Sequence, residues 1–445
     1  MKHAKKLLVF FIVSCIALTA LSATGASEKP VTQEPKSLDI LWRIGGSGEY
    51  MNPAIEEFKK LYPDVEIKLE YNPRAQEVLR PRLIAGDPPD VFQVNVGTFD
   101  FFGAIEEGKL RKLDDLMQMS PVGETGTIAD KLQSNVMDAL KSDGHYYIVS
   151  DNLFLSGLFY DKALFDKYGW QEPETWDEFV SLCEQIKKDT PNVAPLVFPG
   201  MYPYYLTNSF FLPSVASLGG QKAIKDLNNL EPGFFISDPF YQTALRIQYM
   251  RDNGFFMHGL IALSHTESQM EFINHRAAML GAGSWVYNEM AGNWPEGFKL
   301  TAMVAPTKVK SGDKGYMRAS NSYIAIPSDA KNPEAAIELL RILYSEPIRK
   351  QVANEYSMII PVESITAGLN LADEVLNAFA LLDKPENELF ITPYEVWYNP
   401  FNTTFQDQLV SLIMGNIDAK KFCESMEAAA EQMRKDPEIK KYRLD

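Results

Sequence analysis

LDILWRIGGSGEYMNPAIEEFKKL (residues 38–61) is the stretch that decides the fold class. Its first five residues are mostly apolar and predict a β-strand, which the glycine-rich loop 45–48 ends. Apolar residues then recur at helical spacing between Ala54 and Leu61, and this predicts a helix that stops before Pro63. Strand, loop and helix in this order form the first half of a unit that is typical of α/β proteins.

The next residues repeat this alternation. Residues 65–71 alternate apolar and polar as in a strand, residues 76–85 show a helical pattern that contains Pro81, and residues 90–94 predict a third strand. The resulting order, β-loop-α-β-α-β, predicts an α/β domain with a largely parallel sheet.

Two loops of this domain are candidates for a binding site, because ligands of such sheets bind beyond the carboxyl ends of the strands. Residues 45–50 contain Glu49 and Tyr50, and residues 93–98 contain Asn95. The Glu49 carboxylate can accept two hydroxyl hydrogen bonds, although the helix dipole alone also favours an acid at this position. The glycine spacing does not match a dinucleotide-binding fingerprint.

Length and charge narrow the function. The chain has 445 residues, 46 % of them hydrophobic, and a formal net charge of −16. The length predicts two or three domains with full-sized cores. An acidic surface repels phosphate backbones, so no nucleic-acid partner is expected.

The N-terminus has the pattern of an export signal. Lysines precede the apolar run 7–21, and small residues follow it. We predict a signal peptide over residues 1–26, a flexible polar leader over residues 27–37, and an extracytoplasmic location, either in the periplasm or on the outer face of the cytoplasmic membrane.

The cysteines bear on processing and on redox state. Residues 12–15 (IVSC) look like a lipobox ending at Cys15, but the apolar run continues past it. We therefore favour ordinary cleavage, with a lipid anchor on Cys15 as the alternative. Cys183 and Cys423 each lie in a helical pattern among apolar residues. We predict two buried free thiols, although a disulfide is chemically allowed outside the cytoplasm.

A polar cluster and an aromatic turn lie close together further along the chain, in residues 263–269 (LSHTESQ) and 283–289 (GSWVYNE). Glu267 is a candidate for hydrogen bonds to sugar hydroxyls, and Trp285 is a candidate platform for a sugar ring. For Trp285 a place in the core is the alternative. A nucleophile, a metal cage and a phosphate loop are all missing from this cluster, which therefore favours a binder over an enzyme.

No cofactor and no metal are expected. His265 and His275 lie ten residues apart without a third ligand at metal spacing. Acidic residues are too common for a glycosidase carboxylate pair to be recognised from the sequence.

Five motifs, spread over nearly the whole mature chain, carry a resemblance to a known family. They are residues 86–91 (GDPPDV), 157–162 (GLFYDK), 173–179 (PETWDEF), 278–285 (AMLGAGSW) and 325–336 (AIPSDAKNPEAA). In this order they resemble the extracytoplasmic solute-binding proteins of carbohydrate ABC transporters.

This resemblance implies the two-lobed periplasmic-binding-protein fold of type II, with the ligand in a cleft between two α/β lobes joined by hinge strands. It implies a first lobe over residues 38–150 plus 305–345 and a second lobe over residues 151–304 plus 346–445. The lobes would close around a sugar by a hinge motion, and the closed form would engage the transmembrane permease subunits. The protein would act as a monomer.

Further candidate site residues lie at strand ends, at the expected lobe crossing or near the motifs. They are Asp151, Asn152, Tyr204, Tyr205, Asn208, Arg318, Asn321, Trp397 and Asn399. Trp397 lies in residues 394–400 (YEVWYNP), where members of the resembled family commonly contact ligand. Packing is the alternative for Trp397 and for one of the two tyrosines, and a surface ion pair is the alternative for Arg318.

A narrower likeness points to the sugar. Residues 203–206 (PYYL), 227–233 (LNNLEPG), 265–269 (HTESQ) and 283–289 (GSWVYNE) resemble the binding proteins for N-acetylglucosamine and N,N′-diacetylchitobiose. The expected ligand is therefore N-acetylglucosamine or a short chitin oligosaccharide. The alternatives are a different oligosaccharide, an extracytoplasmic glycoside hydrolase, and a binder of peptides or polyamines.

Overall fold

The computed structural model describes residues 37–44, 48–94, 99–132, 137, 140–362, 369–382 and 384–444. The predicted signal peptide, Cys15, the leader up to residue 36 and the candidate Asn95 lie outside these ranges. Those predictions therefore stay predictions.

The described strands form two sheets. In chain order they are β1 (Ser37–Arg43), β2 (Glu66–Asn72), β3 (Val91–Val94), β4 (Ile148–Ser150), β5 (Phe154–Asp161), β6 (Ala194–Val197), β7 (Ala277–Gly283), β8 (Leu300–Met303), β9 (Gly315–Ser320), β10 (Tyr323–Ala325) and β11 (Asn387–Phe390).

The first sheet has the strand order β2-β1-β3-β10-β4. β1 runs parallel to β2 and β3, whereas β10 is antiparallel to β3 and β4. β1 is apolar along most of its length because it lies inside the sheet, and Ile40, Leu41 and Trp42 are fully buried. β2 lies at the edge and alternates between exposed and half-buried residues. The predicted α/β class and its three N-terminal strands are confirmed.

The second sheet has the strand order β11-β9-β5-β7-β6, and β8 also pairs with β5. β5 is its central strand and runs antiparallel to β7, β8 and β9. Two sheets of this kind are what a two-lobed binding-protein fold requires, with a cleft between the lobes.

The helices cover the two sheets. Their bounds are Asn52–Leu61, Ala75–Ala85, Phe101–Glu106, Asp114–Gln118, Ile128–Lys131, Lys162–Tyr168, Trp176–Asp189, Tyr204–Leu206, Leu212–Asn228, Asp238–Asp252, His265–Ile273, Val286–Glu289, Pro333–Leu343, Glu346–Tyr356, Asp373–Ala380, Tyr394–Trp397, Asn399–Ile413 and Ala419–Lys435, with a π-helical turn over Thr207–Phe211. Among the described helices, none is long and apolar enough to cross a membrane.

The helix Trp176–Asp189 shows how the sequence sets these elements. Thr175 caps it, because its hydroxyl accepts from the Glu178 backbone and the Glu178 carboxylate accepts in return from the Thr175 N–H at 3.0 Å. Its inner face carries Cys183, which is buried and unpaired, as is Cys423 in the helix Ala419–Lys435. The predicted free thiols are confirmed.

The chain passes between the sheets at residues 151–153, between β4 and β5, and again at residues 321–322, between β9 and β10. β9 therefore belongs to the second sheet, although it lies within the segment 305–345 that was assigned to the first lobe. The lobe boundaries stay a prediction, and the pairing of β9 favours a crossing at residues 321–322 over one near residue 305.

Candidate functional site

A cavity of about 610 Å³ opens between residues of the two sheets. Arg43 at the end of β1 and Gln93 in β3 border it on one side, and Phe154 in β5 and Arg318 in β9 border it on the other. This is the region beyond the carboxyl ends of β1 and β3 in which the sequence places a ligand. Small-molecule sites typically enclose about 300–1,000 Å³, so the volume suits a ligand of a few sugar units or less.

Most of the predicted site residues that the structure describes line this cavity. They are Tyr50, Asn152, Tyr204, Tyr205, Asn208, Trp285, Arg318 and Asn321. The fold thus gathers residues from widely separated parts of the chain at one place.

Five described candidates do not line the cavity: Asp151 lies behind it, Trp397 lines a second cavity, and the other three lie elsewhere. Glu49 is exposed and accepts a hydrogen bond from the Asn52 amide at 2.9 Å. Glu267 accepts from the Ser264 N–H at 2.8 Å in a capping box at the start of the helix His265–Ile273, and these bonds lower its pKa. Asn399 is exposed at the first turn of its helix. The structure therefore does not bring these three side chains to the cavity.

Trp285 forms an aromatic platform at the end of β7. Its indole ring meets Phe154 edge-on at a centroid distance of 5.2 Å and Tyr205 at 5.9 Å. The ring folds back over Gly283, where an added Cβ would lie 2.1 Å from Cζ3 of the indole. Glycine at 283 is therefore needed for this ring position, which leaves the half-buried indole at the cavity wall.

Tyrosines extend the aromatic wall. Tyr204 stacks on Tyr205 with ring centroids 4.6 Å apart and planes at 28°. Tyr204 remains 40 % exposed whereas Tyr205 is buried, although both line the cavity. Asn208 follows in the π-helical turn Thr207–Phe211, a rare geometry that is frequent at functional sites.

A polar network behind this wall was not predicted from the sequence. The His265 imidazole contacts the Tyr205 hydroxyl through Nδ1 at 2.6 Å and the Glu289 carboxylate through Nε2. Gln269 also donates to Glu289, at 2.9 Å. Because an ionised carboxylate only accepts, Nε2–H of His265 donates to Glu289, and in the neutral imidazole Nδ1 then accepts from the Tyr205 hydroxyl. His265 thus fixes two residues that line the cavity.

Arg318 is held in the wall by three partners. Its guanidinium donates to Glu395 Oε2 at 2.7 Å, to the Thr392 hydroxyl at 2.7 Å, and to the Ser320 hydroxyl. Burial raises the pKa of Glu395, and the charge of Arg318 opposes this rise. The surface ion pair considered for Arg318 is replaced by a buried pair at the site.

Asp151 lies just behind the cavity and is 1 % exposed. It accepts a short hydrogen bond from the Tyr50 hydroxyl, while its other oxygen has no partner among the described residues. Burial raises its pKa to about 7, and the bond from Tyr50 opposes that rise. Asp151 therefore supports Tyr50, which does line the cavity.

Two amide side chains line the cavity with unused hydrogen-bonding capacity. The oxygens of Gln93 and Asn208 are buried and have no partner within the described part of the chain. Buried acceptors without a partner are uncommon, and one that borders a cavity is suited to a ligand that donates hydrogen bonds.

The cavity wall carries equal numbers of basic and acidic side chains. Arg43 and Arg318 are opposed by Glu289 and Glu395, so the wall favours a neutral ligand. In the ranges that the structure describes, no group of three or more His, Cys, Asp and Glu side chains could hold a metal ion.

Some of the cavity residues that were not predicted could have been recognised from the sequence. Glu289 lies one helical turn after Trp285, which places both on the same side of the chain. Gln93 is the polar residue in an otherwise apolar strand. Glu395 and Arg43 carry no local signal, because only the fold brings them to the cavity.

Two known proteins are similar to this chain in sequence over most of its length. The chain is 26 % identical over 420 residues to the diacetylchitobiose-binding protein NgcE of Streptomyces coelicolor. The alignment covers 90 % of this chain and 85 % of the relative. It is 23 % identical to the multiple sugar-binding protein of Streptococcus mutans, over 86 % of this chain and 89 % of the relative.

Solved structures share the fold. A chitin oligosaccharide binding protein superposes with a TM-score of 0.71 at 18 % identity, covering 89 % of this chain and 98 % of the other. RafE of Streptococcus pneumoniae superposes with a TM-score of 0.70 at 19 % identity, over 91 % of this chain and 100 % of the other.

The family is established by the sequence profile of the bacterial extracellular solute-binding proteins. It matches residues 44–350, which begin directly after β1 and include the cavity residues from Tyr50 to Tyr323 and both crossings, at residues 151–153 and 321–322. The two-lobed fold and the cleft agree with this match. The chain therefore belongs to the bacterial extracellular solute-binding proteins.

Proposed function

We propose that this protein is the sugar-binding component of an ABC importer, which captures a neutral sugar in the cavity and delivers it to the permease. The observation that carries this proposal is the half-buried indole of Trp285, fixed at the cavity wall beside the polar residues Asn208 and Glu289. The apolar face of a pyranose stacks on an aromatic ring while its hydroxyls need hydrogen-bonding partners.

The ligand that fits best is diacetylchitobiose or another short N-acetylglucosamine oligosaccharide. The N–H of an acetamide group can donate a hydrogen bond to the unpartnered amide oxygen of Gln93 or Asn208. The similarity to a diacetylchitobiose-binding relative over 90 % of the chain supports the same ligand.

Capture would proceed by closure of the two lobes, with first-lobe residues such as Gln93 meeting the sugar held on Trp285. The crossings at residues 151–153 and 321–322 would serve as the hinge. The closed, monomeric protein would dock on the permease outside the cytoplasm, and no cofactor is needed for any of these steps.

Hydrolysis of the sugar is disfavoured by the state of the cavity carboxylates. Glu289 is bound by His265 and Gln269, and Glu395 is bound by Arg318. A glycosidase needs one carboxylic acid to protonate the leaving group and a second carboxylate to act as nucleophile or base. Neither of these two side chains is left free for such a role.

Calorimetric titration of the mature protein tests the proposal with neutral oligosaccharides from chitin, cellulose and starch. We expect diacetylchitobiose to bind with a micromolar or tighter Kd, and Trp285→Ala to weaken binding by about thirtyfold or more. Trp294→Phe is the matched control, because the Trp294 indole donates to the Tyr287 carbonyl away from the cavity. Absence of heat with the whole panel would refute a sugar-binding function.

A further inference from the structure

The C-terminal segment contacts residues of both lobes. We call residues 436–444 the C-terminal strap. It follows the helix Ala419–Lys435, and Pro437 prevents that helix from continuing. The strap turns over residues 437–439 and then continues without helix or strand to the first lobe.

Tyr442 is the centre of the strap and is only 8 % exposed. Its ring stacks on Trp397 with centroids 5.5 Å apart and planes at 18°, and it meets Phe102 edge-on at 4.9 Å. Its hydroxyl donates to Glu106 at 2.6 Å, and its backbone exchanges two hydrogen bonds with the Tyr398 hydroxyl. Phe102 and Glu106 follow β3 of the first sheet, whereas Trp397 and Tyr398 follow β11 of the second.

The residues around Tyr442 hold the strap in place. Leu444 exchanges two backbone-to-side-chain hydrogen bonds with Asn229, at 2.7 and 3.1 Å. Lys440 forms an ion pair with Asp143 at 2.9 Å. The strap is therefore attached to the second lobe near Asn229 and to the first lobe near Asp143.

Trp397 lies against the strap and does not line the ligand cavity. The face of its indole is covered by Tyr442, and its Nε1 is buried with no partner among the described residues. A second cavity, of about 910 Å³, lies on this side and is lined by both rings. Ile391 borders the two cavities, and Val396 lines the first where Trp397 lines the second.

We propose that the C-terminal strap limits the length of the bound oligosaccharide, with Tyr442 occupying the place that a further sugar unit would take on Trp397. An indole face can stack on a tyrosine ring or on the apolar face of a pyranose. A longer ligand that grows past Ile391 must displace Tyr442 and break its contacts to both lobes. This inference rests on the proposed function, because it concerns which sugars the same cleft accepts.

The test compares chitin oligosaccharides of two to six units by calorimetry on the full-length mature chain, with cellulose and starch oligosaccharides of equal lengths alongside. For the wild type we expect affinity to be highest for the short members. Tyr442→Ala should raise the affinity for the longest members relative to the disaccharide by about tenfold, the scale of one aromatic contact. Tyr442→Phe keeps the ring and loses only the bond to Glu106, so it should keep the wild-type length preference.

Hydrogen exchange on the wild type supplies a measurement that does not depend on a variant. The backbone N–H groups of Tyr442 and Leu444 should lose protection when a six-unit oligosaccharide binds and keep it with the disaccharide. If the wild type binds short sugars but Tyr442→Ala keeps the same length preference and the strap stays protected, the strap inference fails and the proposed function stands. If the wild type binds no member of the three series, both fail.

Discussion

Asn152 and Ser322 are joined by two reciprocal hydrogen bonds where the chain crosses between the sheets. The Asn152 amide donates to the Ser322 hydroxyl at 2.8 Å, and the Ser322 N–H donates to Asn152 Oδ1 at 2.9 Å. When the side-chain nitrogen of Asn321 faces Asn152, it also donates to the Asn152 backbone carbonyl at 3.0 Å. The two crossings are thus fastened side by side at the edge of the ligand cavity.

Removing these hydrogen bonds between the two crossings should destabilise the protein. We expect Asn152→Ala to lower the free energy of unfolding by about 1–3 kcal/mol, because the buried N–H of Ser322 loses its acceptor. Ser322→Ala should have a smaller effect, because it removes one of the two hydrogen bonds and leaves the backbone N–H of residue 322 bonded to Asn152. Urea unfolding measures both changes, and equal effects of the two variants would contradict the assigned roles.

The position of the Trp285 ring should depend on Gly283. An added Cβ at residue 283 would lie 2.1 Å from the indole, so Gly283→Ala should displace the ring and reduce sugar affinity about as much as Trp285→Ala. Trp285→Phe should retain part of the affinity, because it keeps an aromatic face. Calorimetry compares the three variants. Unchanged affinity in Gly283→Ala would show that the ring position is not needed.

His265 should act on the ligand through its neighbours. His265→Ala removes the hydrogen bonds of the imidazole to Tyr205 and Glu289. We expect the Kd for the sugar to rise about tenfold, because these two side chains are then held less firmly in position. The exposed His258 provides the control, since His258→Ala should change nothing. If both histidine variants bind like the wild type, the network does not position the site.

Stability should depend on pH through Asp151. Burial raises its pKa from 3.8 to about 7, so the folded state binds a proton more tightly than the unfolded state does. Its contribution to stability is therefore complete below pH 3.8 and is lost as the pH rises to about 7. Asp151→Asn should remove this slope. Parallel curves of unfolding free energy against pH for the two proteins would contradict the buried, protonatable carboxyl.

The N-terminal α/β order could be predicted because its signal is local. Strands β1 to β3 and the helices between them are each marked by the spacing of nearby apolar residues and by glycine or proline at their ends. The pairing of β9 with the second sheet could not be read in this way. It joins β5 and β11, which lie far from β9 in the sequence.

The candidate site shows the same division. Trp285 and Tyr205 lie within recognisable motifs and do line the cavity. Glu267 was selected for its polarity, although Ser264 three residues earlier already gave the capping-box pattern that explains its position. Trp397 was selected as a ligand contact with packing as the alternative, and Tyr442, which covers it, comes from a segment that carries no motif. Chemistry can thus be read locally, whereas which ring faces the ligand depends on tertiary packing.

A crystal structure of the mature protein with diacetylchitobiose tests the central claim most directly. The account predicts the disaccharide in the cleft between the two sheets, with one sugar ring stacked on Trp285 and its polar groups bonded to Gln93 or Asn208. A disaccharide bound elsewhere on the protein, with the Trp285 face left empty, would contradict it.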